Sequence, residues 1–130
     1  MTNQALALEW AAKASVYPLP QEYNAQGSAR EPDCGDLLEL RMQVDEFGRV
    51  TGIGFSLTES ACPPVWACAA YACSLCLGKP VMLCLTIDHS QLFGALSHDG
   101  KPDPAHFHCA IMVELALKRA LADYGRRFCP

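Results

Sequence analysis

Between Leu38 and Leu57 the chain switches polarity at every second residue, twice over. Leu38, Leu40, Met42 and Val44 alternate with Glu39, Arg41, Gln43 and Asp45. A period of two sends one set of side chains to a core and the other to water, which is the mark of a half-buried strand. Glu46, Phe47 and Gly48 supply turn chemistry, and Thr51, Ile53, Phe55 and Leu57 then alternate again. The two segments predict an antiparallel hairpin over 37–58.

After the hairpin the period changes. Pro63 and Pro64 suit the first turn of a helix, where a missing N–H costs nothing, and Gly78 suits its end. They bracket a helix over about 63–77 that is apolar nearly all round and therefore buried. Residues 81–96 predict one or two shorter helical pieces, with Asp88 or Ser90 able to cap the later one. Gly100 to Pro104 breaks the chain. Over 105–125, Ile111, Leu115, Ala116 and Leu121 recur at helical spacing as the inner face, while Glu114, Lys118, Arg119 and Asp123 take the wet side. Ahead of the hairpin, residues 1–33 read as an N-terminal helix over Gln4 to Ser15, closed by Pro18 and Pro20, and then a loop or crossing strand. The fold class is α+β: a small antiparallel sheet packed against helices.

Composition bounds the function. One hundred and thirty residues with 51% hydrophobic and 18% charged side chains suit a single packed domain rather than a disordered chain. A net charge of −4 and a pI near 5.4 leave no basic field for a phosphate backbone, so nucleic acid is not an expected partner. The longest run rich in apolar residues, 65–77, is too short to span a bilayer, and Met1 to Ser15 lacks a basic leader. A cytoplasmic protein with reduced cysteines is the expectation.

Eight cysteines are the loudest feature of the composition. Metal-binding thiolates must be deprotonated, which helix starts and loops favour and apolar interiors oppose. Cys34 falls in a loop beside Gly35 and Asp36, Cys62 where the hairpin gives way to the helix, and Cys109 near the start of the last helix, next to His108. Two helix starts and one loop can converge at one end of a small fold. Cys73 and Cys76 form a C-x-x-C, but in the middle of an apolar helix, so core packing outweighs a redox dithiol there. Cys68 and Cys84 read as small hydrophobes, and Trp66 and Phe107 as packing residues. His89 and His98 read as surface groups, and His106 as solvated or as an outer partner of a metal site.

At these residues the chain resembles a known family. Asp33-Cys34-Gly35-Asp36, the lone Cys62 after a hairpin, and His108-Cys109-Ala110-Ile111, followed by Ala116-Leu117-Lys118 and Ala122-Asp123-Tyr124, are similar to the iron–sulfur cluster assembly scaffolds of the IscU/NifU N-terminal type. The resemblance implies that 1–130 is one domain of that type. It implies a transient [2Fe–2S] cluster, or iron, or zinc in its absence, held by Cys34, Cys62 and Cys109, with Asp36 or His108 as the fourth ligand. It also implies sulfur from a cysteine desulfurase, an iron donor, and apo acceptor proteins that take the cluster, with the chain acting as a carrier and not an enzyme. Cys109, beside a histidine at a helix start, is the expected persulfide acceptor.

Two departures from the family pattern bear on this. Pro63-Pro64-Val65-Trp66 replaces the usual small, serine-rich helix start. Pro102-Asp103-Pro104-Ala105-His106 stands where well-known members carry a Leu-Pro-Pro-Val-Lys motif, which makes docking to the dedicated DnaK-like chaperone doubtful. Two other functions compete. One is a zinc-bound sulfur acceptor that stimulates a desulfurase without building a cluster, although the related zinc-dependent subgroup carries an insertion that the 46 residues between Cys62 and Cys109 do not leave room for. The other is a thiol oxidoreductase using Cys73 and Cys76.

Overall fold

The computed structural model describes residues 2–32 and 35–128. Cys34, the first of the three expected thiolate ligands, lies outside the described residues, as do Met1, Asp33, Cys129 and Pro130. The described elements are α1 (Asn3–Ala12), β1 (Ala25–Arg30), β2 (Leu37–Val44), β3 (Val50–Leu57), α2 (Pro63–Cys76), α3 (Val81–Cys84), α4 (His89–Leu92) and α5 (Phe107–Phe128). Single 3-10 turns follow α1 and α4 and precede α5.

The hairpin forms as its alternation requires. β2 pairs antiparallel with β3, and Leu38, Leu40, Met42 and Val44 are all buried. In β3 the inward set is Val50, Ile53, Phe55 and Leu57, and Thr51 faces solvent, contrary to the expected alternation. A register shift at Gln43 and Val44 explains the change: Val44 pairs with Val50 and Gln43 with Gly52, so Thr51 is the extra residue of a bulge.

Residues 21–33 supply a third strand where the sequence left a loop or crossing strand. β1 pairs antiparallel with β2 and completes a sheet of order β1-β2-β3. Its inner-face residues, Ala25, Gly27 and Ala29, are small because α5 lies directly on them. A Cβ on Gly27 would come 2.3 Å from the backbone nitrogen of Ala120 and 2.4 Å from the carbonyl oxygen of Ala116, so only glycine permits that approach. The same closeness decides which face of α5 turns inward. Cys109, Ala110, Val113, Ala116, Leu117 and Ala120 have no exposed surface, whereas Ile111 and Leu115, expected to be inward, are 48% and 41% exposed.

α2 and α5 fix the site. α2 begins at Pro63 with Cys62 as its N-cap and ends before Gly78, whose φ of 81° lets the chain turn back. There the Gly78 N–H donates to the Val50 carbonyl (2.8 Å), which ties the end of α2 to the start of β3. α2 therefore runs antiparallel to β3 and starts at the opposite end of the sheet, where the Leu37 N–H meets the Thr58 hydroxyl (2.9 Å). α1 lies across α2, with Trp10 edge-on to Tyr71 at 4.8 Å between ring centroids. Between α2 and α5 the chain makes two short helices, and Asp88 caps the second in a reciprocal arrangement with Gln91.

Candidate metal centre

The starts of α2 and α5 meet. The Cys62 Sγ lies 4.0 Å from the Cys109 Sγ, and the His108 Nε2 lies 3.5 Å from that same sulfur. Two thiolates about 2.3 Å from one tetrahedral ion must stand about 3.8 Å apart, and a thiolate and an imidazole nitrogen about 3.6 Å apart. Both observed separations match an edge of such a tetrahedron. Among the described residues no group of three or more His, Cys, Asp or Glu side chains is gathered tightly enough to hold an ion by itself.

The β1–β2 connection borders this pair. The Gly35 N–H donates to the Glu31 carbonyl (2.8 Å), the Glu31 N–H donates to the Asp36 carbonyl (2.9 Å), and the Arg30 guanidinium donates to the Gly35 carbonyl (2.8 Å). Glu31 is near enough for its charge to oppose ionisation of Cys109. Sequence reasoning missed Glu31, because its signal depends on β1, which has no large alternating residues to announce it. Asp36 is buried immediately ahead of β2.

The two thiols differ in environment. Cys62 is exposed, and its side chain makes no capping hydrogen bond to α2. It also lines a cavity of about 490 Å³ together with Pro63, Pro64, Asp103 and His106, beneath α1. Cys109 is fully buried, and its thiol is held above its ordinary value, first by burial and then by the neighbouring Cys62, Cys68 and Glu31. The expected solvent-reachable, low-pKa Cys109 is therefore not what the structure contains. A helix start is not enough when the same turn is packed against the first turns of α2, and the thiol that solvent reaches is Cys62.

The other cysteines are kept apart from this chemistry. Cys68, Cys73, Cys76 and Cys84 have no exposed surface. Burial, with a smaller contribution from Cys62, pushes the Cys68 thiol up to about 12, and burial raises that of Cys73. Cys76 is raised mainly by its hydrogen bond with the Cys84 thiol, which is lowered in turn. An accessible Cys73–Cys76 dithiol is not formed, and the described strands pair only antiparallel. His89 does not simply face water: its backbone N–H and its Nδ1 both meet Glu114.

Comparison with known proteins assigns the chain to a family. Residues 15–129 match the family described as NifU-like N terminal domain. The chain belongs to that family. It is 31% identical over 78% of its length to iron-sulfur cluster assembly protein 3 of Arabidopsis thaliana, covering 56% of that protein. It is 30% identical over 75% of its length to the iron-sulfur cluster assembly scaffold protein IscU of Haemophilus influenzae, covering 73% of it. The chain spans about half the length of several curated relatives it matches. Its fold superposes with a TM-score of 0.72 on a protein from Fervidobacterium islandicum AW-1 described as a scaffold candidate for iron–sulfur cluster assembly in the SUF system, at 14% identity and over 89% of this chain and 93% of that one. This family member is thus an α+β protein of the IscU/NifU type, and no helix among its described residues is long and apolar enough to cross a membrane.

Proposed function

We propose that this family member is a scaffold on which an iron–sulfur cluster is assembled and from which it is handed on, acting as a carrier rather than as an enzyme. The observation that carries the reading is the 4.0 Å approach of the Cys62 and Cys109 sulfurs, with His108 3.5 Å from the second, where two helix starts meet. Helix N-termini favour the negative charge that thiolates bring. Cys34, Cys62 and Cys109 would hold the cargo, with Asp36 or His108 as fourth ligand. A hard carboxylate or an imidazole beside soft thiolates gives a bond that exchanges, which suits cargo meant to leave.

Sulfur would come from a cysteine desulfurase. A thiolate of the scaffold attacks the terminal sulfur of the donor's persulfide, a new persulfide forms on the scaffold, and the donor leaves as a thiolate. The exposure of Cys62 makes it the first acceptor, with Cys109 loaded once metal or a partner opens its turn. Iron arrives from a separate donor, apo proteins take the finished cluster, and a reducing compartment such as the cytoplasm keeps the thiols available. Zinc is the expected occupant where iron is absent, since its ligand preferences match the same donors.

Anaerobic reconstitution with ferrous iron, cysteine and a desulfurase, followed by visible absorption, tests the reading. The parent should develop a cluster chromophore, and Cys34→Ala, Cys62→Ala and Cys109→Ala should each fail to. A chromophore that survives all three changes refutes the ligand set. Asp36→Ala should slow release to an apo acceptor more than it slows formation.

A further inference from the structure

The peptide ahead of Cys62 is gripped by a side chain that the site chemistry does not use. Trp66 lies in the first turns of α2, and its indole Nε1–H donates to the Ala61 carbonyl at 3.1 Å. The ring is itself held, tilted against Phe55 at 5.9 Å between centroids. Ala61 is buried, and its N–H donates to the Thr58 carbonyl (2.9 Å), so the residue before Cys62 is anchored at both backbone groups.

The residues after Cys62 work toward the same end. An N-cap side chain ordinarily accepts from the N–H of the second or third helical residue. Here the second is Pro64, which has none, and the third is Val65, whose N–H goes to the carbonyl of Cys62 (3.0 Å). Prolines at both of the first two positions also fix φ there. The thiol of Cys62 is left without a competing partner in its own helix, and its close neighbour is the Cys109 sulfur.

We propose that Trp66 is a positioning residue for Cys62: its bond to the Ala61 carbonyl, with Pro63 and Pro64 beyond, sets the Cys62 sulfur against Cys109 before any metal arrives. The inference rests on the reading of Cys62 as a ligand. Groups that orient a ligand in this way typically govern metal affinity by about 10- to 100-fold, because a preset site has less ordering to do on binding.

The test is zinc affinity, measured by competition with a chromophoric chelator, alongside thermal melting of each metal-free protein. Trp66→Phe keeps the ring and deletes the donor, and should weaken zinc binding by about tenfold. Pro64→Ala returns an N–H that competes for the thiolate and should weaken it by a smaller factor. Cys73→Ala, which destabilises the same helix away from the site, should lower the melting temperature and leave affinity unchanged. Parent-like affinity in Trp66→Phe or Pro64→Ala under conditions where the variant is folded, or a loss in Cys73→Ala as large as in Trp66→Phe, overturns the proposal. Parent-like affinity in Cys62→Ser overturns instead the reading of Cys62 as a ligand, so the two failures are distinguishable.

Discussion

The start of α2 and its interior carry the same side chain to different ends. Cys62, at the N-cap, is exposed and faces a second thiol across 4.0 Å. Cys68, Cys73 and Cys76, further along the same helix, are sealed, and the first two thiols are held protonated by burial. Sulfur's identity does not separate them; access to water and to a helix terminus does. A cysteine within an apolar helix packs as a small hydrophobe, and the same residue one step outside that helix is open to solvent. Cys109 stands between the two cases, at a helix start yet fully buried.

The contrast can be broken most forcefully by removing one member of each class. Cys62→Ser should cost zinc affinity more than the roughly 100-fold upper range for loss of an outer partner. Cys73→Ala should leave affinity intact and lower stability by about 1–2 kcal/mol, through the small cavity it opens. Calorimetric titration and chemical denaturation of both variants would check the pair. Equal metal affinities in the two would erase the distinction.

A smaller effect is expected from disturbing the helix that brings Cys109 to Cys62. Gly27→Ala forces a Cβ into the backbone of α5 and should destabilise the fold by about 1–3 kcal/mol. It should also weaken metal binding, because α5 must shift. Denaturation midpoints together with the chelator assay measure both effects, and a variant of parental stability would show that β1 and α5 are not packed as described.

Alkylation sharpens the comparison further. Iodoacetamide on the metal-free native protein should modify Cys62 ahead of Cys68, Cys73 and Cys109, with sites mapped by peptide mass spectrometry. Early labelling of Cys73 would contradict its burial.

Stability also carries a dependence on pH. Cys68, Cys73 and Cys109 have folded values above the ordinary thiol value of 9.0. Above that pH the unfolded chain sheds thiol protons that the native protein keeps, so stability should fall as pH rises past 9. Their contribution is fully present below it. Urea midpoints across pH 7–10 should drift downward only in the upper part of that range.

How much of this was legible in the residues alone follows from side-chain size. The alternation of Leu38 to Val44 and the bracketing of α2 by Pro63 and Gly78 are written in large apolar residues and strong breakers, and both elements appear where expected. β1 carries Ala25, Gly27 and Ala29 on its inner face, residues too small to show a period, so the strand is legible only from the helix that rests on it. The same contact misleads on α5. The large Ile111 and Leu115 look like core residues, yet alanines line the buried face because close approach to Gly27 demands them. At the site, positions relative to helix starts brought out Cys62, His108 and Cys109, but the burial of Cys109 and the nearness of Glu31 depend on long-range packing that no local pattern encodes.

Zinc K-edge X-ray absorption on the zinc-loaded protein addresses the central claim most directly. Three sulfur ligands at about 2.3 Å with one nitrogen or oxygen are predicted, falling to two sulfurs in both Cys62→Ser and Cys109→Ser. A zinc shell built of nitrogen and oxygen, or a sulfur count that neither substitution changes, would contradict it.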